Sequence, residues 1–250
     1  MKIQMENFKF YEVGGCVRDE ILGRNSKDID YVAVPNEYLL NKYNNAKDMF
    51  IALSNYLANE NFKIFIEHPD MFTIRAKFPI NHKYSGDADF VMARKEVGYV
   101  KNTRIPIINP GTLYDDLLRR DFTINAIAKD DDGSYIDYFN GLIDIQNKIL
   151  KTPLPAIETF NDDPLRILRA IRFSITKGFS LSEEIIDVIN TYDFDEKMIV
   201  VSMERIRDEL YKCFKYNTFL TIEYLNKFPQ LFKYIFEKTN LWLKPTFEIK

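Results

Sequence analysis

Apolar side chains in the first part of the chain recur with two different periods. The runs 8–13 and 31–34 are rich in β-branched and aromatic residues, which predicts two strands. Residues 36–62 have helical spacing, and the runs FKIFIEH and MFTIRAKF that follow are strand-like, the second with strict alternation. This pattern predicts a domain of mixed helices and strands.

The middle of the chain predicts further strands. GDADFVMARKE is strand-like and places Asp87 and Asp89 on one face. Residues 95–110 lack a clear period and contain glycine and proline, so we expect a loop there. After a short helix over YDDLLRR, two strand-like runs at 124–128 and 135–139 flank a turn at DDDG.

The character of the chain changes at residue 151. Pro153 and Pro155 interrupt regular structure, and everything after about Ile157 has helical spacing. We therefore expect a domain boundary between residues 150 and 151, with an all-helical part after it.

Composition narrows the class of protein. Hydrophobic residues make up 46% of the 250 residues and aromatic residues 14%, which excludes a disordered chain. A net charge of -3 argues against non-specific coating of nucleic acid, although it is compatible with a local basic face. Cys16 and Cys213 are too few and too far apart for a disulfide scaffold or a zinc cluster, and they fit buried thiols. With neither an N-terminal signal pattern nor an apolar run of about 18 residues, we expect a cytoplasmic protein without a membrane segment.

The stretch VGGCVRDEILGRNSKDIDYVAV carries the densest candidate chemistry. Gly14 and Gly15 follow a predicted strand, and without a Cβ they let the backbone approach a bulky anion. The short helix that follows carries Arg18 and directs free N–H groups at that anion. Asp28 and Asp30 face the same way on the next strand, about 6.6 Å apart along it, so both can reach one divalent metal site. The stretch predicts a phosphate cradle beside a metal site.

These residues resemble a known family. GGxVRD, LGR and DxD are similar to the first motif of the class II CCA-adding tRNA nucleotidyltransferases and their bacterial poly(A) polymerase relatives, within the DNA polymerase beta superfamily. LRRDFTINA and DYFNGLIDI resemble the second signature and the segment closing the head domain, with Tyr138 and Asn140 in place of a proline and a glycine. DDPLRILRAIRFSITKGFSLS resembles the base-reading helix, and SMERIRDELYKCF the helix after it.

The resemblance covers roughly the first 215 residues and implies an architecture. It implies an α/β (α+β) nucleotidyltransferase head domain followed by an all-helical neck and a shortened helical body. The three parts are the catalytic head, the base-recognising neck and a short C-terminal segment, at residues 1–150, 151–215 and 216–250.

The implied activity is template-independent, Mg²⁺-dependent addition of CMP and AMP from CTP and ATP to the 3′ end of tRNA, with release of pyrophosphate. CC-adding, A-adding and poly(A) polymerase activities are rivals. The family's bacterial poly(A) polymerases have an arginine-rich RRFRLAH-like strand after the first motif. Nothing in residues 37–78 matches that strand, which argues against poly(A) polymerase activity. A non-catalytic nucleotide- or RNA-binding module is the alternative from another class, and the intact acidic and base-reading residues argue against it.

The resemblance also implies which acids are catalytic. Asp28 and Asp30 would hold two Mg²⁺ ions, which prefer carboxylate and phosphate oxygens. The family's third acid lies five residues before an arginine, and counting back from Arg94 selects Asp89, with Asp87 as the substitute. Asp89 would bind the ion that activates the 3′-hydroxyl group.

Nucleotide contacts follow from the same comparison. Gly14, Gly15 and Arg18 would hold the triphosphate. The second signature would contact the nucleotide sugar and phosphates, although an arginine pair at a helix end also complements the helix dipole. The residues of that signature are Arg119, Arg120, Asp121 and Asn125.

Asp163 and Arg166 would read the base. Three residues apart on a helix, a carboxylate and a guanidinium group match the amine and ring nitrogen of cytosine or adenine and reject uracil and guanine. The alternative is that Asp163 before Pro164 only caps the helix. Arg169 would point towards the nucleotide and Arg172 towards structure or RNA. The next helix would support this one through Glu204, Arg205 and Glu209.

Overall fold

The structure is a computed structural model that describes residues 7–26, 28–43, 45–100 and 106–238. These residues form two compact units. The N-terminal unit holds residues 7–99 and 106–145, and the C-terminal unit holds Val100 and residues 146–238.

The N-terminal unit is built on a seven-stranded mixed sheet. Its strands and those of a separate two-stranded sheet are β1 Phe8–Val13, β2 Ile29–Pro35, β3 Lys63–His68, β4 Thr73–Lys77, β5 Asp87–Met92, β6 Arg94–Tyr99, β7 Pro106–Pro110, β8 Ile127–Lys129 and β9 Tyr135–Asp137. The order in the large sheet is β3-β4-β5-β2-β1-β8-β9, and β2 with β5 is its parallel pair. Its helices are α1 Gly15–Ile21, α2 Glu37–Lys42, α3 Ala46–Asn59, α4 Leu113–Leu118 and α5 Gly141–Asn147.

The two faces of this sheet have different chemistry. In the parallel pair, Tyr31 of β2 is in register with Phe90 of β5, and their rings stack 5.1 Å apart. Because successive side chains alternate between faces, Asp30 and Asp89, which precede them, lie together on the opposite face. An apolar face thus anchors the strands that present the acids.

The predicted loop at 95–110 is wrong, because β6 and β7 pair there as antiparallel strands. Pro106 and Pro110 occupy the first and last positions of β7, where strands tolerate proline. Gly98 has a φ of 156° and sits at a register shift after Glu96, which is a β-bulge. Residues 101–105, also within the predicted loop, lie outside the described residues.

Two other element predictions need correction. The strand expected at 124–128 begins only at Ile127, because Thr123–Asn125 forms a 3₁₀ turn. The helical region 36–62 is two helices, since Tyr43 after α2 is extended, with φ -105° and ψ 121°.

Asn140 and Gly141 show how the departure from the family motif is accommodated. Asn140 has a φ of 61°, a left-handed conformation that asparagine adopts more readily than other residues with a side chain. Gly141 cannot be replaced so easily, because a Cβ there would lie 2.2 Å from the backbone oxygen of Thr123. That oxygen belongs to the 3₁₀ turn that carries Asn125.

Gly141→Ala is therefore expected to lower the free energy of unfolding by about 3 kcal/mol, since the new methyl group overpacks a backbone contact. Urea denaturation followed by circular dichroism measures this. Asn140→Gly is the matched control and should change the free energy by less than about 1 kcal/mol, because glycine also adopts the left-handed conformation. Equal effects of the two substitutions would contradict the steric explanation.

The C-terminal unit is helical, as predicted, except for one short strand pair. Its helices are α6 Ala156–Asp162, α7 Leu165–Lys177, α8 Glu183–Thr191, α9 Phe194–Lys197, α10 Met203–Tyr216, α11 Thr218–Asn226 and α12 Pro229–Lys233. A 3₁₀ turn at Met198–Val200 follows α9, and a π-helical turn at Tyr234–Lys238 follows α12. Strands β10 Ile149–Leu150 and β11 Ser180–Leu181 pair in parallel, which the helical prediction missed.

Helices α7 and α10 form the centre of this unit and pack against each other. Ile167 and Ile171 of α7 and Ile206 of α10 are completely buried. Cys16 and Cys213 are buried free thiols, as predicted. No described helix has the length and apolar character needed to cross a bilayer.

Candidate active site

Asp30 of β2 and Asp89 of β5 are directly opposite each other in the parallel pair. The two strands that carry the candidate acids are therefore neighbours in the sheet. Asp28 directly precedes β2, and Asp87 begins β5 on the face of Asp89. We call these four residues the acidic patch. Among the described residues, no three histidine, cysteine or acidic side chains are gathered tightly enough to hold a metal ion as they stand, so the metal ligands stay a prediction.

The electrostatics of the acidic patch favour a cation. Burial raises the pKa of Asp30, the Arg120 guanidinium lowers it, and the nearby carboxylates of Asp89 and Asp28 raise it further, for a net rise. Burial likewise raises the pKa of Asp89, against the effect of Arg75. Carboxylates that are partly buried and repel one another are a donor set that a divalent oxygen-seeking cation stabilises, so the residues fit Mg²⁺.

Arg75 is a member of this site that the sequence reasoning missed. It lies on β4 opposite Asp89, with its Nε 3.6 Å from Asp89 Oδ1 and its Nη2 3.9 Å from Asp87 Oδ2. The alternation of MFTIRAKF predicted the strand but not its neighbour, and only the pairing of β4 with β5 brings Arg75 to the acids.

The glycine turn lies against the acidic patch. Gly14 has φ 77° and ψ -133°, a conformation that glycine adopts without strain. A Cβ at this position would be 2.9 Å from Arg120 Nη1 and 3.4 Å from Asp30 Oδ2. At Gly15, the first residue of α1, a Cβ would lie 3.5 Å from Arg18 Nη2, which is an ordinary van der Waals contact. The missing side chain of Gly14 thus makes room for Arg120 beside Asp30.

Arg18 links the first motif to the second. It is buried, and its Nη1 donates to Asn125 Oδ1 at 2.5 Å. Asn125 Nδ2 donates in turn to Asp121 Oδ1 at 2.9 Å, which also accepts from the backbone N–H of Phe122. The structure therefore brings Arg18, Asp121 and Asn125 together as a buried network. Their contacts with a triphosphate or sugar stay predictions.

Asp116, which the sequence analysis did not identify, forms ion pairs with both Arg119 and Arg120. It is completely buried within α4, and Arg119 Nη2 lies 2.5 Å from its Oδ1 and Arg120 Nη2 3.0 Å from its Oδ2. Burial acts to raise the pKa of Asp116, but the two guanidinium groups together hold the pKa below its usual range. The predicted helix over YDDLLRR already indicated these ion pairs, since residues three and four apart are neighbours on a helix.

Asp116→Asn is expected to lower the free energy of unfolding at neutral pH by about 3–5 kcal/mol, because it leaves two arginines without their buried partner. Urea denaturation measures the change. Asp115→Asn in the same helix is the control. Asp115 belongs to a capping box with Thr112, so its loss should cost about 1 kcal/mol.

The pH dependence gives a second readout for Asp116. Its pKa is lower in the folded state than in the unfolded state, so its contribution is present above the unfolded value and is lost as pH falls through the folded value. The wild-type protein should lose more stability in acid than Asp116→Asn does. Parallel acid profiles of the two proteins would contradict this assignment.

The proposed base-reading pair lies in the C-terminal unit, and here the structure corrects one prediction. Asp163 is not on a helix with Arg166, since it has φ -145° and ψ 97° between α6 and α7. The cause is Pro164, because a residue before proline is disfavoured in the helical conformation. Asp163 Oδ1 accepts from the backbone N–H of Leu165 at 3.0 Å, so a capping role at the start of α7 is present. Arg166 donates from Nη1 to the backbone oxygen of Thr159 at 3.2 Å.

Helix α10 contacts this region through Arg205 and Glu209, two of the three residues predicted to support it. Arg205 Nη2 lies 3.9 Å from Asp163 Oδ2. The buried Glu209 pairs with Arg172 of α7, which assigns Arg172 to structure within this unit. Arg169 lies over the ring of Phe173, 5.8 Å from its centre, and Glu204 is exposed.

We compared the chain with known protein families and with individual relatives. Residues 10–151 match the family described as "Poly A polymerase head domain". A CCA-adding enzyme of Staphylococcus aureus (strain MRSA252) is 34% identical over 221 residues, which are 86% of this chain and 48% of that protein. A CCA-adding enzyme of Lactococcus lactis subsp. cremoris (strain MG1363) is 33% identical over 213 residues, 84% of this chain and 48% of that protein.

Solved structures of CCA-adding enzymes are also similar to this chain in fold. The Bacillus stearothermophilus CCA-adding enzyme in complex with CTP is 27% identical with a TM-score of 0.64, covering 84% of this chain and 45% of that one. The Thermotoga maritima CCA-adding enzyme complexed with tRNA_CCA is 27% identical with a TM-score of 0.67, covering 96% of this chain and 50% of that one. The chain spans about half the length of these relatives. On the match of its head domain, the chain belongs to the poly(A) polymerase head-domain family.

Proposed function

We propose that this protein is a template-independent nucleotidyltransferase that adds CMP and AMP, taken from CTP and ATP, to the 3′ end of tRNA and releases pyrophosphate. The observation that carries the proposal is the register of Asp30 with Asp89 on adjacent strands, next to the glycine turn and Arg120. The CCA-adding enzymes among its relatives support the choice of substrate.

The acidic patch would hold the metal. Enzymes of this family generally use divalent metal ions. We assign two Mg²⁺ ions to Asp28 and Asp30, with Asp89 on the ion next to the attacking hydroxyl group, and Asp87 as the less favoured third acid. When bound, such a pair lowers the charge on the attacking and leaving oxygens of an in-line displacement.

Arg120 would bind the phosphates. Its side chain lies beside Gly14, and its buried Nε–H makes no hydrogen bond within the described part of the chain. A buried donor without a partner is costly, and a phosphate oxygen would satisfy it. Arg18, Asp121 and Asn125 would hold the turn and the second motif in place around the nucleotide, and Arg119 would add a positive charge beside Arg120.

Base selection would come from Asp163 and Arg166. A carboxylate accepts from the exocyclic amine of cytosine or adenine, while a guanidinium group donates to the adjacent ring nitrogen. Uracil and guanine present the reverse polarity there. The extended conformation of Asp163 supports this role, since one carboxylate oxygen caps α7 and the other faces Arg205, an exposed side chain that a base can displace. Arg169 would extend the positive surface.

Domain roles and location follow from the same proposal. We assign catalysis to the head, residues 1–150, and base recognition to the neck, residues 151–215. From residue 216 onward, α11 and α12 would belong to the helical segment that follows the neck. Two buried free thiols and a tRNA substrate support a cytoplasmic location.

The test is incorporation of labelled CTP, ATP, UTP or GTP with Mg²⁺ onto tRNA transcripts that end before CCA, after C and after CC. The double variant Asp28→Ala/Asp30→Ala is the control. Addition of C, C and then A, which stops there, is the expected result. C alone, A alone or an A tail would select the CC-adding, A-adding or poly(A) polymerase activity instead, and triphosphate binding without incorporation would select a non-catalytic module.

A further inference from the structure

Arg75 occupies the middle of β4, directly opposite Asp89 of β5 in the antiparallel pair. Asp89 is in turn opposite Asp30 of β2, so one cation and two carboxylates form a continuous row across three strands. The neighbours of Arg75 on β4, Ile74 and Ala76, are completely buried, which fixes the strand and the point from which the Arg75 side chain extends.

The guanidinium group of Arg75 reaches both acids of β5. The distances of 3.6 Å to Asp89 and 3.9 Å to Asp87 are longer than those of hydrogen bonds. The buried Nε–H makes no hydrogen bond in the described ranges of the chain. The contact is therefore mainly electrostatic, and another cation can replace it without the loss of a hydrogen bond.

The charge balance indicates what this contact does. Four carboxylates of the acidic patch repel one another, and a positive charge within a few ångströms offsets part of that repulsion. We propose that Arg75 is a positioning residue that acts as the counter-ion of Asp89 and Asp87 and is displaced when a divalent cation binds to the acidic patch. The inference rests on the proposed function, because it concerns the cation of that reaction.

A counter-ion of this kind competes with the metal. Removing its charge leaves the acidic patch more negative, so Arg75→Gln is expected to bind Mn²⁺ about tenfold more tightly than the wild-type protein, an effect of the size that one adjacent charge has on a carboxylate. An arginine that helped to build the metal site would give weaker binding, and one that only supported the fold would leave the affinity unchanged.

The experiment is a Mn²⁺ titration at fixed ionic strength, followed by electron paramagnetic resonance of the free ion. Arg75→Lys keeps the charge and should bind Mn²⁺ with nearly wild-type affinity. Lys63→Gln is the matched control, because Lys63 lies on the edge strand β3, opposite Lys77 and opposite no residue of the acidic patch, and its loss changes the net charge equally. Tighter binding by Arg75→Gln alone supports the proposal. Unchanged or weaker binding, or equal tightening by Lys63→Gln, would overturn it.

Asp30→Asn separates this inference from the proposed function. If the wild-type protein binds no Mn²⁺, or binds it equally well after Asp30→Asn, there is no cation site at the acidic patch and both proposals fail. If wild-type binding depends on Asp30 but Arg75→Gln binds with wild-type affinity, only the role of Arg75 is overturned.

The wild-type protein gives an answer even if Arg75→Gln does not fold. The Nε–H signal of Arg75 in an ¹⁵N NMR spectrum is assigned from its loss in Arg75→Lys. Its relaxation should report an ordered side chain without added Mg²⁺ and a more mobile one with it. A signal whose mobility Mg²⁺ leaves unchanged would overturn the proposal.

Discussion

Asp30→Asn is expected to reduce nucleotide incorporation by about 10³-fold or more and, at the same time, to make the folded protein more stable at neutral pH. The loss follows from the proposed role of Asp30 as a metal ligand, since metal ions supply several kcal/mol of transition-state charge stabilisation, and about 4 kcal/mol is a factor of 10³ in rate. The gain follows from removal of a negative charge that burial and two neighbouring carboxylates disfavour.

The sign of the stability effect follows from the direction of the pKa shift. The pKa of Asp30 is raised in the folded state, so the folded protein binds more protons than the unfolded chain between the unfolded and folded values. The free energy of unfolding therefore falls as pH rises through that window, and the penalty is fully present above it. In Asp30→Asn this penalty is absent, so the two proteins should differ more in stability at neutral pH than in acid.

Urea denaturation at several pH values, together with single-turnover incorporation, measures both effects. Asp28→Asn is the matched control, because Asp28 is exposed and directly precedes β2. It should lose activity like Asp30→Asn but gain no comparable stability. Incorporation by Asp30→Asn above about a tenth of the wild-type rate would contradict the assignment of Asp30 as a metal ligand.

The first motif could be predicted because its signals are local. The 16 consecutive residues from Phe8 to Gly23 contain the strand β1, the turn at Gly14 and the end of α1. Each of these elements has its own sequence pattern, which can be recognised without the others. Gly23 has a φ of 70°, as expected of a glycine that follows a helix. The alternation around Arg75 likewise predicted β4 correctly. Local chemistry of this kind requires no knowledge of the strand order.

Contacts between distant residues could not be predicted in the same way. Gly14 lies against Arg120, and Arg18 donates to Asn125, across more than a hundred residues of sequence. Both contacts depend on the pairing of β1 with β8, which brings the second motif to the glycine turn. No periodicity within either motif specifies that pairing, so the physical reason for Gly14 becomes visible only in the folded chain.

The error at Asp163 has a local cause instead. The spacing of Asp163 and Arg166 suits one helical turn, but a residue before proline is disfavoured in the helical conformation, and α7 begins only at Leu165, two residues after Asp163. The consequence is functional, because an extended residue can direct its second carboxylate oxygen away from the helix end that the first oxygen caps. Capping and base reading are therefore compatible at Asp163, and the two roles can be separated by substitution.

Asp163→Asn is expected to reduce the preference for CTP over UTP by about 10- to 100-fold, since a bidentate match contributes about 1–3 kcal/mol of discrimination. Asparagine keeps one oxygen, which can still accept from the N–H of Leu165, so α7 should still form. Its amide nitrogen would replace the acceptor that faces the cytosine amine with a donor, which suits the O4 of uracil. The measurement is kcat/KM for CTP and UTP on a tRNA that ends before CCA, with circular dichroism to verify the helices.

Arg205→Gln and Arg166→Lys complete this test. Arg205→Gln removes the ion-pair partner of Asp163 without touching the proposed base contact, so the CTP preference should stay close to that of the wild-type protein. Arg166→Lys keeps the charge but loses the planar pair of donors, and should lower kcat/KM for CTP and ATP together. If Asp163→Asn instead lowers kcat/KM for CTP and UTP by the same factor, Asp163 contributes only to the start of α7, and base selection must be assigned to other residues.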